Sequence, residues 1–293
     1  AREAAALPAY APSSGAGEGA YRIDADRPPA AFRALVAAAR DAVASGLFEK
    51  LVVARSVRFA SAEPIDVPRL VAALRRTHPR CTTFAVARGA DVFVGATPER
   101  LLRVDFDRVE TAALAGTAPR GRTPDEDARL AAALRESKKE QEEHAIVVRE
   151  LRAALAPLCA SLDVPEAPAL LQMEGVQHLA TPLRGVLAAP ANALALAGRL
   201  HPTPAVGGAP RSAAVAWLAA HESLARGWYA GGVGWLDPAC GGELAVALRC
   251  ARVRGGEARL FAGAGVVAAS DPQAELEETR LKLRALLAPL LEL

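Results

Sequence analysis

An α+β fold, with helices interspersed among largely antiparallel sheets, is predicted for this 293-residue chain. Three observations point there. Short apolar runs follow one another across Gly-rich and Asp-Pro turn signals, as hairpins do. Helical patterns interrupt those runs irregularly instead of alternating strand by strand, which disfavours a doubly wound sheet. A content of 52% hydrophobic residues supplies a sizeable core, enough for one large domain or two modest ones.

The opening AREAAALPAY has neither the charged start nor the apolar run of a signal peptide, and PSSGAGEG over 12–19 has linker composition. Residues 1–22 are therefore expected to form a flexible segment ahead of one domain over 23–293. Apolar positions Phe32, Leu35, Val36, Ala39 and Val43 mark an amphipathic helix over Arg27–Ser45, with Asp26 as its cap and Gly46 past its end. The Val-rich FEKLVVARSVRFA reads as a strand over Phe48–Ala60, with Lys50 at its mouth. A helix over Val67–Thr77 follows, then short strands at Thr82–Ala87, Val92–Gly95, Arg100–Val104 and Val109–Leu114. Between two of these, the turn GATPER places Glu99 beside a Thr-Pro corner.

Thr123-Pro124-Asp125-Glu126 fits a capping box that opens one long helix to about Leu155. Gln172–Leu187 reads as strand with a turn, and Asn192–Leu200 and Arg211–Ser223 as helices. They are joined by HPTPAVGGAPR, whose prolines and glycines fix the backbone where main-chain groups meet a ligand. Strands are expected at Tyr229–Leu236, Glu243–Val253 and Ala258–Ala262. The last helix starts at Ser270 or Asp271, with Pro272 in first position and Glu275 in the first turn. Its Leu276, Leu283, Leu287 and Leu290 form a face to bury on the sheet.

Composition removes several function classes. A net charge of +2, with basic residues spread along the chain, implies neither a nucleic-acid nor a membrane partner. No run of eighteen apolar residues occurs, so the cytoplasm is the expected location. Cys81, Cys159, Cys240 and Cys250 form no CxxC pair and read as reduced thiols. HExxH and GxSxG are absent, which leaves zinc-protease and serine-hydrolase chemistry without a signal. The segment Gly263-Ala264-Gly265-Val266-Val267-Ala268 satisfies a dinucleotide fingerprint, but it does not lead straight into a helix, and only a β-branched pair, an Asp-Pro and about one helix follow it. Its glycines instead suit close approach of the backbone to an anion.

Two acidic stripes remain. Glu136, Glu140 and Glu143, with His144, recur at three- and four-residue spacing, and Glu275, Glu278 and Lys282 share a face of the last helix. Such a stripe is usually a solvated face. Two of them, with Gly-rich strand turns between, are also how carboxylates supplied one or two at a time hold Mg²⁺.

The blocks FEKLVVAR, GATPERLL, ALAGTAPRG, SKKEQEEH, QHLATP, LHPTPAVGG, GGVGW, ALRCARV and LFAGAGVVAASDPQAELEETRLKL, in this order, resemble the chorismate-utilising enzymes. Within that family the likeness is to isochorismate synthases, from about Phe48 to the C-terminus. The resemblance implies two large, mostly antiparallel sheets packed face to face with helices outside, the active site in a cleft between them, and a monomer. It implies a Mg²⁺-dependent reaction in which water adds to C2 of chorismate, the double bonds shift and the C4 hydroxyl leaves. Lys50 would then activate the water, as a neutral amine, and Glu99 would protonate the departing hydroxyl. Glu143 and Glu278 match the Mg²⁺ carboxylates, with Glu140 and Glu275 as second ligands or water holders. Tyr229, Arg249, Lys282 and the backbone of Gly263 and Gly265 fall where the family holds the enolpyruvyl carboxylate, and Gly116 and His178 on the ring side.

Relatives that eliminate pyruvate usually carry Thr where this chain has Ala205, so isochorismate is the implied product, ahead of salicylate or an aminated product. A homologue that binds such acids without turnover is a further alternative. Members of the family usually have more chain before the first helix, which implies strands missing or replaced here. Gly207-Gly208 stands where they often have Ser-Gly, removing a hydroxyl from the pocket.

Overall fold

The computed structural model describes residues 21–293. The chain runs β1 (Tyr21–Ala25), α1 (Pro29–Ala44), β2 (Lys50–Ser61), α2 (Val67–Thr77), β3 (Thr82–Arg88), β4 (Asp91–Thr97), β5 (Arg100–Asp105) and β6 (Arg108–Pro119). It continues through α3 (Pro124–Glu136), α4 (Lys138–Leu155), a 3-10 turn, β7 (Cys159–Asp163), β8 (Ala169–Gln172), β9 (Val176–Leu187) and α5 (Ala193–Leu200). The last part is β10 (Gly208–Ala209), α6 (Arg211–His221), β11 (Gly232–Leu236), β12 (Gly242–Val246), β13 (Cys250–Arg254), β14 (Glu257–Val266) and α7 (Pro272–Leu291).

The strands form two antiparallel seven-stranded sheets. The first has the order β1-β2-β14-β13-β4-β3, with β10 also on β2; the second has β11-β12-β5-β6-β9-β7, with β8 also on β9. Period-two alternation decides what each face meets. On β14, Ala258, Leu260, Ala262, Ala264 and Val266 are buried toward α1, α2 and α7. Phe261, Gly263 and Gly265 look the other way, into the space between the sheets. The main core is filled from both sheets, with Phe84, Phe93 and Phe261 from the first and Leu102, Val109, Leu183 and Val246 from the second, closed by α4 and α5.

Side chains fix the helix starts. Asp66, Thr123, Ser137, Asn192 and Asp271 each accept a backbone N–H of the first turn. Several sequence expectations need correction here. Asp26 does not cap α1, which begins after Pro28 without a side-chain cap; Asp26 instead accepts from Ser56 and Arg259. The expected single helix over 123–155 is two, broken where extended Ser137 ends α3 and caps α4, so Glu136 leaves the stripe that holds Glu140 and Glu143. Tyr21 and Arg22 belong to β1, paired with Ser61 and Ala60, while the rest of the expected flexible segment, 1–20, lies outside the described residues.

The expected strand over Glu243–Val253 is also two, and its halves lie in different sheets. β12 ends in the second sheet, Ala247–Arg249 crosses over, and β13 starts in the first. β4 and β5 make the reverse crossing through Pro98 and Glu99. The two crossings are bonded to each other: Val246 N–H to Glu99 O at 2.9 Å, Ala96 N–H to Arg249 O at 3.2 Å, and Thr97 Oγ1 to Val246 O at 2.6 Å. Among the described residues no helix is long and apolar enough to cross a membrane.

Candidate active site

The paired crossings set Glu99 and Arg249 side by side at the junction of the sheets, on the wall of a cavity. Arg249 lies in no strand, contrary to expectation, and has φ +47°, a conformation that a non-glycine residue adopts at a cost of about 1 kcal/mol or more. Lining the same cavity are Gly116, Glu143, His178, Ala205, Tyr229, Gly263, Gly265 and Lys282. Ten of the fourteen residues singled out from sequence thus share one lining, since Glu99 and Arg249 are also in it. The other four, Lys50, Glu140, Glu275 and Glu278, stand directly behind it.

Lys50 opens β2 and is fully buried. Its Nζ is 3.0 Å from Glu143 Oε1, without the geometry of a directed hydrogen bond. Gly265 makes room for this pair. A Cβ at that position would come within 2.1 Å of Glu143 Oε1 and 2.9 Å of Lys50 Cε. At Gly263 a Cβ would meet Tyr229 Oη at 2.9 Å. The two glycines therefore sit inside β14, not in a turn, and their missing side chains leave space for catalytic-type groups arriving from α4, β2 and the loop before β11.

Glu99 is buried, and loss of solvation pushes its carboxyl up to about 7, although Lys50, Lys282 and Arg249 pull the other way. It is therefore an acid able to carry a proton near neutrality. His178 is the reverse: burial, followed by the Arg249 and Lys282 charges, pushes it down to about 3. As a neutral ring it accepts from Arg249 Nη2 at 3.2 Å through Nε2, which leaves Nδ1–H to donate to Gly116 O at 3.2 Å. Gly116 has φ +81° at a bulge in β6, which turns that carbonyl toward the ring. Tyr229 stacks on Phe261 with centroids 5.2 Å apart, and burial pushes its phenol above the usual range.

At and behind this wall α4 and α7 bring four glutamates together: Glu143, which lines the cavity, and Glu140, Glu275 and Glu278 behind it. Glu278 is paired with Lys282 at 2.5 Å, and Lys282 also donates to Gly263 O at 3.0 Å. Burial opposes ionisation of Glu278, but Lys282 and Lys139 hold its carboxyl below the usual value. Glu140 accepts from Thr117 N–H at 3.1 Å. Glu275 is pushed up to about 7 by burial and then by Glu278. Lys139 Nζ lies among them, 2.8 Å from Glu275 Oε1 and 2.9 Å from Glu140 Oε1.

Sequence reasoning missed Lys139, although it sits in the quoted SKKEQEEH block. It also missed the apolar lining of Val52, Leu114, Val206, Leu248 and Phe261, which no motif carries. His144, placed in the acidic stripe, turns inward and bonds Ala115 O and Thr181 Oγ1, a supporting position under β6 and β9. The four cysteines are free.

Comparison with known proteins places this arrangement. Residues 11–291 match the family described as chorismate binding enzyme. Over 258 residues the chain is 45% identical to the salicylate biosynthesis isochorismate synthase of Pseudomonas aeruginosa, covering 87% of this chain and 53% of that protein. An isochorismate synthase of Bacillus subtilis is 38% identical over 83% of this chain and 52% of its own length, so the chain spans about half the length of these two relatives. Among solved structures, the menaquinone-specific isochorismate synthase of Escherichia coli superimposes with a TM-score of 0.83 at 34% identity, over 92% of this chain and 62% of that one. A Bacillus anthracis protein assigned as a 2,3-dihydroxybenzoate-specific isochorismate synthase gives 0.90 at 36% identity, over 93% of this chain and 74% of that one. The two antiparallel sheets with helices outside are shared with these structures, and the chain belongs to the chorismate binding enzyme family.

Proposed function

We propose that the chain isomerises chorismate to isochorismate, acting as a monomer of the cytoplasm. The observation that carries this reading is a proton-carrying glutamate, Glu99, lining one cavity with an arginine and a lysine suited to carboxylates, with the fully buried Lys50 directly behind that lining. Arg249 offers a planar fork to the enolpyruvyl carboxylate, with Lys282 and Tyr229 beside it. Lys50, as the neutral amine, takes a proton from water as its oxygen bonds to C2, and the double bonds move round the ring. The C4–O bond then breaks, and Glu99 supplies the proton with which that oxygen leaves as water. Water in and water out make the change an isomerisation. Val52, Leu114, Val206 and Leu248 form an apolar side of the cavity.

Mg²⁺ fits the donors behind the wall in kind. Glu140, Glu143, Glu275 and Glu278 are hard oxygen donors from two helices, and both buried oxygens of Glu275 lack a directed hydrogen bond. Bound there, the ion would neutralise the ring carboxylate of chorismate and raise the electrophilicity of the ring. Ala205, with no hydroxyl to offer the pocket, favours release of isochorismate over onward loss of pyruvate.

The test is incubation of the purified chain with chorismate, in Mg²⁺ and in EDTA, with products separated by chromatography and identified by mass. A metal-dependent product of unchanged mass, without pyruvate, is expected. Salicylate with pyruvate would overturn the Ala205 argument, and unconverted chorismate from folded protein would overturn the activity.

A further inference from the structure

The position of Lys139 is electrostatically odd. It lies in the first turn of α4, where the positive end of the helix dipole disfavours a cation. What holds it there is negative charge from two helices: Glu140 at 2.9 Å, Glu275 at 2.8 Å and Glu143 Oε2 at 3.9 Å. The other two lysines of the cluster are occupied elsewhere. Lys50 is buried at the mouth of β2 against Glu143, and Lys282 is tied to Glu278 and Gly263 O. Lys139 is the more accessible of the three, with 21% of its side chain exposed, and its four-carbon stem can carry the ammonium outward without moving α4. Among the described residues, no three carboxylates are grouped ready for a metal ion, and an ammonium sits among those that the site would use.

We infer that Lys139 is a tethered cation that competes with Mg²⁺ for Glu140, Glu143 and Glu275. This rests on the reading that those carboxylates hold the metal. Without the ion, Lys139 neutralises a cluster that would otherwise push α4 and α7 apart. With the ion, two cations cannot share the same oxygens, and the ammonium moves to solvent. Lys139 thereby lowers the intrinsic affinity for Mg²⁺ and keeps the site assembled in its absence.

Calorimetric titration of the full chain with Mg²⁺ tests this, using wild type, Lys139→Met, Lys139→Arg and, as a control for net charge, the exposed neighbour Lys138→Met. Lys139→Met is expected to tighten Kd by tenfold or more, with Lys139→Arg and Lys138→Met within about twofold of wild type. Its melting temperature in EDTA should fall, and Mg²⁺ should raise it by more than in wild type. An unchanged or weaker Kd in Lys139→Met overturns the inference while leaving the metal site standing; absence of Mg²⁺ binding to wild type removes both. A second measurement needs no variant. Acylation of lysines in the wild-type protein, read by mass spectrometry, should modify Lys139 severalfold faster in saturating Mg²⁺ than in EDTA, and equal rates would overturn displacement.

Discussion

Glu99 shows what burial does to one side chain. A carboxyl held at about 7 instead of near 4.5 binds its proton more tightly in the folded chain than in the unfolded one. Its contribution to stability is therefore full below pH 4.5 and is lost as pH rises to about 7. Substituting Glu99→Gln should flatten that part of the stability–pH profile, as read by urea unfolding at pH 5 and pH 8. Turnover should respond in the same direction, because an acid must carry its proton: kcat/KM is expected to fall above about pH 7. In Glu99→Gln the rate should drop by ~10²-fold or more, and a variant that retains wild-type turnover would remove Glu99 from its role. Residues such as Glu99, Glu143 and Arg249 were legible in sequence because charged side chains stand within ordered blocks. Lys139 was not, since a lysine beside another lysine in a charged run looks solvated until the opposing helix is in place.

Among the elements, β14 carries the clearest division between packing and function. One face is apolar and covered by helices, while the other carries glycine at 263 and 265 so that Lys50, Glu143 and Tyr229 can approach the backbone. In Gly265→Ala the new methyl group meets only the far ends of flexible side chains, so the chain should fold. The Lys50–Glu143 pair must shift, however, and activity should fall at least tenfold with a change in melting temperature of a few degrees; unaltered turnover would show that the pair's placement does not matter. The same strand shows a limit of sequence reading. Its glycines satisfied a turn signal, whereas register with β2, Gly265 opposite Val52 and Gly263 opposite Ala54, keeps them in extended structure. Likewise, continuous β-propensity over 243–253 gave one strand, because nothing in local preference reports that a run changes sheets at Arg249.

At the scale of the whole molecule, the described residues form two sheets joined where chain segments cross between them, and the cavity opens at that join. A second tie lies nearby. Glu222, buried after α6, accepts from Ala54 N–H at 2.8 Å and pairs with Arg226, which donates to Val52 O at 2.7 Å and Val206 O at 2.8 Å. This clamps β2 to the HPTPAVGG loop that carries Ala205. Removing one partner of a largely buried pair strands the other, so Glu222→Ala should cost ~3 kcal/mol, visible as a lower urea midpoint, whereas a loss below ~1 kcal/mol would mark the pair as an ordinary surface bridge. The α+β class and the antiparallel order followed from turn signals and periodicity, and the packing of two sheets from the resemblance. The crossings and the clamp came from tertiary contacts far apart in sequence, which local pattern does not encode.

The proposed chemistry turns on solvent water becoming the C2 hydroxyl of the product. The direct measurement is turnover of chorismate in ¹⁸O-labelled water, with mass analysis of the isochorismate formed. One ¹⁸O at C2, with the original C4 oxygen lost to solvent, is the expected result, and isochorismate that retains the original oxygen would contradict water addition by Lys50 and Glu99.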